Sequence, residues 1–211
     1  MVSKILDNLT RIKQSIGSEV ILVAVTKRRS VAEINELIGF GVGDIGENQV
    51  GEALGKFGEF DGKVKKHFIG TIQSNKVRSI VENFDLIQSV DRLKVARLID
   101  RFAGEVGKVM PVLVQVNISL EESKSGVLPG EVEDFISEIS VLKNVRVIGL
   151  MCIGSRGRRD EFGKMKVLFD ELREKGFSMK ILSMGMSGDF EMAIEEGSNM
   201  VRVGSRIFED G

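Results

Sequence analysis

The chain has 211 residues, 42% of them hydrophobic, which suits one large domain with a substantial core. Its net charge of −1 provides no field favouring nucleic acid or an anionic membrane, and no apolar run is long enough to span a bilayer. A single cysteine, Cys152, excludes an internal disulfide framework and fits a cytoplasmic protein, while one histidine and no tyrosine or tryptophan narrow the choice of acid, base or stacking group, and no metal site is expected.

Residues 3–16 are patterned as an amphipathic helix and carry no signal-peptide apolar segment. Residues 20–26 form an apolar, β-branched run of the kind buried on both faces in a parallel sheet, and Lys27 follows it. A lysine ending a strand ordinarily snorkels to water, so the rest of the chain must decide what Lys27 does. Residues 31–38 read as a helix capped by Ser30, 42–46 as a strand, and 47–57 as a helix. Strand and helix alternate again at 67–70 and 74–83, then at 84–90 and 92–103 with Asp91 as the expected cap. Further pairs follow at 111–118 and 131–142, at 145–152 and 160–175, and at 180–185 and 188–196, and a strand over 200–204 closes the series.

About eight strands, each separated from the next by a helix, imply a parallel sheet with helices outside. The expected fold is a single (β/α)8 TIM barrel over residues 1–211 with an extra N-terminal helix. A doubly wound open sheet is the alternative; it would need fewer strands or an evident crossover. The segment Gly41-Val42-Gly43-Asp44-Ile45-Gly46 matches a dinucleotide-binding fingerprint in spelling only. It follows a helix and contains a strand, whereas the fingerprint must follow a strand and open a helix. Gly39 and Gly41 are expected instead to form a tight turn.

In such a barrel the chemistry belongs at the carboxyl ends of the strands, and the loops after strands 7 and 8 commonly bind phosphate. Those loops hold Met186-Ser187-Gly188-Asp189, expected to open a helix, and Gly204-Ser205. Both offer hydroxyls and approachable backbone for an anion, although a capping serine and a turn glycine would look the same. Arg202 interrupts the apolar run 200–204, and strand parity turns it toward the barrel interior, opposite Val201 and Val203. A buried guanidinium needs a partner, either a structural ion pair or a ligand. A lysine and a phosphate cradle on one rim suggest a carbonyl-bearing phosphate ester held as a Schiff base: a sugar phosphate in an aldolase, or pyridoxal 5′-phosphate (PLP).

Several motifs narrow this choice: Ala24-Val25-Thr26-Lys27, Gly46-Glu47-Asn48-Gln49-Val50, His67-Phe68-Ile69-Gly70, Ser123-Lys124-Ser125-Gly126, Ser183-Met184-Gly185-Met186-Ser187-Gly188-Asp189 and Val201-Arg202-Val203-Gly204-Ser205. With them the chain resembles the PLP homeostasis protein family, which is similar to the N-terminal barrel of alanine racemase. The resemblance implies that Lys27 forms a Schiff base with PLP and that Ser187, Gly204 and Ser205 hold its phosphate. It also implies that Asn48 lies near the cofactor ring and that Arg202 faces the pyridine nitrogen. Ser205 stands where many relatives have threonine, and Gln49 where an aromatic residue is common.

An arginine at the ring nitrogen would leave that nitrogen unprotonated and the electron sink weak. A racemase's tyrosine base is missing, Cys152 alone cannot make a two-cysteine racemase, and His67 is expected at the amino end of its strand, away from the active rim. The expected function is therefore a PLP-binding protein that buffers or delivers the cofactor without robust catalysis, with PLP-dependent apoenzymes or amino acids as acceptors and a monomer as the working unit. The alternative is a PLP-dependent amino-acid racemase using Lys27 and water. Arg156, Arg158 and Arg159 read as a solvated loop, and residues 121–126 as a polar segment on the active rim, where a lid would sit.

Overall fold

The β-branched runs form strands because both faces of each can be buried, one toward the barrel interior and one toward the helices. The computed structural model describes residues 3–155 and 157–209. The strands are β1 (Ile21–Val25), β2 (Asp44–Glu47), β3 (Lys65–Phe68), β4 (Leu86–Val90), β5 (Met110–Val116), β6 (Val145–Cys152), β7 (Ile181–Met186) and β8 (Met200–Val203). They pair in parallel and in sequence order, and β8 pairs with β1 to close the barrel. Closure removes the open-sheet alternative.

Helix α1 (Lys4–Ile16) precedes the barrel; α2 (Val31–Gly39), α3 (Val50–Phe57), α4 (Val77–Asn83), α5 (Leu93–Glu105), α6 (Val132–Ser140), α7 (Arg159–Glu174), α8 (Phe190–Glu195) and α9 (Ser205–Phe208) follow the strands in turn. On α1, Leu9, Ile12 and Ile16 share one buried face and join the cluster that holds Phe190 and Ile207. The Asn8 side chain donates to the Ile207 and Glu209 carbonyls at 3.2 and 3.3 Å, so the first helix is tied to the last. Inside the barrel, Val23, Leu86, Leu113, Met151 and Met200 form an apolar layer. Burying each such side chain contributes roughly 1.5–3 kcal/mol.

Several expected boundaries shift for local reasons. Ser30 does cap α2, in a reciprocal box with Glu33: the Glu33 N–H donates to the Ser30 hydroxyl, and the Ser30 N–H donates to the Glu33 carboxylate. Asp91 does not cap α5; Arg92 holds the N-cap position, and the Asp91 carboxylate accepts instead from Arg92 Nε at 2.9 Å. Glu47 ends β2 opposite Phe68 and does not begin α3, because its side chain is buried on the helix side of the sheet. Strand β3 starts at Lys65, so His67 lies inside the strand, and its ring points into the barrel interior. In the glycine-rich segment only Gly41 is left-handed, at φ +77°, while Gly39 is the last residue of α2.

Candidate functional site

Alternation along β1 sends Val23 inward and Ala24 toward the helices. The same alternation carries Val25 inward, Thr26 outward, and Lys27 to the carboxyl-end rim, where it is exposed. There Lys27 lines a cavity of about 360 Å³ together with Ser187, Arg202, Gly204 and Ser205. These five residues, far apart in the sequence, are brought to one place by the fold.

Two loops build the far wall. Gly185 has φ +94°, and a Cβ there would sit 2.7 Å from Ala193 Cβ and 2.9 Å from Phe190 Cα, so glycine alone allows β7 to turn this sharply. The turn is closed by Asp189, whose carboxylate accepts the Met186 N–H at 2.6 Å. Helix α8 starts at Phe190 with Asp189 in the N-cap position, two residues later than the expected start at residue 188. Ser187 therefore caps nothing. Its Oγ accepts the Gly204 N–H at 3.0 Å and ties the β7 loop to the β8 loop, with its own proton still available to donate. An anion here would be held by hydroxyls and loop backbone.

Arg202 lies opposite Val23 in the β8–β1 register and so faces inward, with 4% of its surface exposed. Its Nη1 donates to Ser183 Oγ at 2.7 Å and its Nη2 to the Cys152 carbonyl at 2.8 Å. Both partners are neutral, so neither contact is the structural ion pair considered from sequence. Burial pushes the guanidinium pKa down, against the opposing pull of Cys152 and Asp189.

Asn48 is not brought to this cavity. It lines a neighbouring one of about 340 Å³ with Phe68, Thr71, Gln73 and Lys76. Conversely, Arg29 and Glu209, which no sequence motif singles out, also line the Lys27 cavity, together with Val25, Met186 and Gly188 from the strand end and loop already named. Arg29 was visible only as the end of the basic run that starts at Lys27. It bonds Glu209 at 2.9 Å and lies over the Phe208 ring at 4.5 Å.

Cys152 is fully buried, and burial pushes its thiol up to about 12. His67 is buried between Asp44 and Gln88. In the segment 121–126, Lys124 contacts both Glu121 and Ser155 at 2.8 Å, and the Asn117 side chain donates to the Glu121 and Lys124 carbonyls. Arg158 pairs with Asp160, and Arg159 with Glu195 and Glu196, so these arginines face carboxylates; Arg156 lies outside the described residues.

The sequence profile of the alanine racemase N-terminal domain matches residues 2–210. The pyridoxal phosphate homeostasis protein of Synechocystis sp. is 39% identical over 197 residues, covering 90% of each chain. The chain belongs to the pyridoxal phosphate homeostasis family. Within that family PipY of Synechococcus elongatus, solved with PLP bound, superposes with a TM-score of 0.89 at 32% identity, covering 97% of this chain and 99% of PipY. PipY without PLP gives a TM-score of 0.91 at 33% identity. Alanine racemase of Clostridium difficile shares the barrel at a TM-score of 0.85 and 18% identity, covering 99% of this chain and 57% of the racemase.

Proposed function

We propose that this homeostasis-family chain holds PLP reversibly and covalently through Lys27, buffers the reactive aldehyde, and passes it to PLP-dependent apoenzymes or amino acids. The observation that carries the reading is the convergence of one amine, one buried guanidinium with neutral partners, and two loop hydroxyls on a single cavity. Its size lies within the range of roughly 300–1,000 Å³ typical of small-molecule sites.

Bound PLP supplies an aldehyde carbon for the amine and a pyridine ring that can withdraw electrons. The residues of this chain then divide the work. Lys27 is the covalent anchor. Ser187, Ser205 and the Gly204 backbone, whose N–H donates to Ser187 Oγ, would hold the phosphate. Arg202 would offer its remaining N–H groups to the ring nitrogen and could not give it a proton as an acid would, since a guanidinium stays charged. Proton-transfer groups around the cavity are few: the chain has no tyrosine, Cys152 is buried and protonated, His67 is buried among Asp44 and Gln88, and the carboxylate in the lining, Glu209, is paired with Arg29. That scarcity of bases supports holding over turnover. Asn48 belongs to the neighbouring cavity and takes part only if the ligand extends that far.

The test is to load the purified chain with PLP, reduce with borohydride and map the attachment by peptide mass spectrometry. Attachment at Lys27, absent in Lys27→Ala, is expected. Incubation with D- or L-alanine in deuterated buffer should give no sustained α-proton exchange; Lys27-dependent exchange over many turnovers would overturn the non-catalytic part of the reading.

A further inference from the structure

Behind Lys27, on the helix side of the barrel, the chain carries a charged network that the cavity does not use. Lys56 of α3 donates from Nζ to the Thr26 carbonyl at 3.1 Å, to Glu52 at 2.5 Å and to Glu47 at 3.3 Å. The Thr26 hydroxyl donates to the same Glu47 oxygen at 2.6 Å. Glu52 Oε1 also accepts the Arg28 backbone N–H. The Thr26 carbonyl and the Arg28 N–H belong to the two peptide groups that flank Lys27. Both are therefore held from outside, by side chains one turn apart on a single helix.

The turn needs such support. Arg28 sits at φ +59°, in the left-handed region that non-glycine residues rarely enter. Glu47 shows a related cost: its Oε2 is buried without a hydrogen-bond partner. Unfavourable backbone and an unsatisfied carboxylate oxygen, both within one residue or one contact of Thr26–Arg28, mark a segment whose geometry is held against local preference. Partial burial pushes the Glu52 carboxyl up, but the Lys56 ammonium and the Arg28 N–H carry it net below its ordinary value, so the acceptor stays ionised.

We propose that Lys56 and Glu52 are positioning residues that fix the backbone on each side of Lys27 and so set the direction in which its amine meets the cofactor. The proposal rests on the reading of Lys27 as the PLP-bearing residue. It adds that the anchor's orientation is set from α3, by groups that never touch the ligand. A 1 Å displacement of a reacting group is enough to slow a bond-forming step about a hundred-fold.

Three variants test it: Lys56→Met, Glu52→Ala and the conservative Lys56→Arg. In cofactor-free protein, the Arg28 amide should exchange with solvent faster in Glu52→Ala than in the wild type. On adding PLP, the rate of covalent attachment at Lys27 should fall by about ten- to a hundred-fold in Lys56→Met and Glu52→Ala, with Lys56→Arg close to wild type. Thermal melting monitors folding, and a purely structural role would lower the melting temperature while leaving the attachment rate of the folded fraction unchanged. That last outcome, in either folded variant, overturns the proposal alone. Failure of the wild-type chain to take up PLP at Lys27 overturns the reading of Lys27 and the proposal with it.

Discussion

Arg202 Nη1 donates to Ser183 Oγ at 2.7 Å, and Ser183 donates onward to Gln88 Oε1 at 2.7 Å. Gln88 Nε2 lies 2.8 Å from His67 Nδ1, and His67 Nε2 lies 2.9 Å from Asp44 Oδ1. All five residues face inward by strand register, so a continuous polar chain runs up the barrel from the first residue of β2 to the floor of the Lys27 cavity. The tautomer with its proton on His67 Nε2 satisfies every link. A barrel core is normally filled by apolar layers; here the chain of hydrogen bonds orients a guanidinium that pairs with no carboxylate among the described residues.

Ser183→Ala should therefore leave both Arg202 and Gln88 with an orphaned buried group, at about 1–3 kcal/mol for each. Urea unfolding of the cofactor-free protein measures the loss. Arg202→Ala also removes packing volume, so its cleaner readout is the ligand: the absorbance spectrum and affinity of bound PLP should both change. Unchanged values would remove Arg202 from the ring nitrogen.

Ser187→Ala and Ser205→Ala should weaken PLP retention far more than they perturb folding. On the proposed reading each deletes a hydroxyl that holds the phosphate, and a hydrogen bond to a charged group contributes about 1.5–3 kcal/mol, roughly ten- to a hundred-fold in Kd. Ser187→Ala also frees the Gly204 N–H from its 3.0 Å contact, so it should be the more damaging of the two. Equilibrium titration with PLP, set beside melting curves, separates the effects.

The sequence made Lys27, Ser187, Arg202, Gly204 and Ser205 readable because strand and helix alternate regularly, and regular alternation tells which ends of the strands share a rim. Arg202 stood out as a charge in an apolar run. The Lys56 network did not, because Glu47 looks like the start of a helix in the polar run Gly46-Glu47-Asn48. Only its pairing with Phe68 in β3 places it in a strand and buries it beside Thr26 and Lys56. The pair Arg29 and Glu209 joins the first turn of the barrel to the last, a separation that no local pattern reports. Asn48 directly follows β2, and the cavity it lines depends on how β2 leaves the barrel, with the Asn48 carbonyl 2.2 Å from where a Gly70 Cβ would stand.

Cys152 should be inert toward thiol reagents in the native chain. Its thiol is fully buried and pushed up to about 12, so little thiolate forms near neutral pH. A disulfide reagent should label it only as fast as the protein unfolds, and the rate should rise with urea along the unfolding curve. Rapid labelling in the absence of denaturant would mean that the thiol opens to solvent and could serve chemistry at the rim.

Glu47 gives a pH dependence with a definite sign. Its carboxyl is raised above the ordinary value of 4.5, first by burial; the Thr26 hydroxyl and the Lys56 ammonium oppose the shift, and Glu52 adds to it. A raised folded-state value means that the native state holds a proton the unfolded chain has already released. The stabilisation linked to Glu47 is then fully present below the ordinary glutamate range and is lost as pH rises through the folded value. Glu47→Gln keeps an acceptor for Thr26 and cannot titrate. The stability of the wild type relative to this variant should therefore decline from about pH 4 upward and level off once Glu47 is ionised in the native state. Urea unfolding of both proteins at a series of pH values measures the difference. A wild type that gains on the variant as pH rises would show that Lys56 attraction outweighs burial.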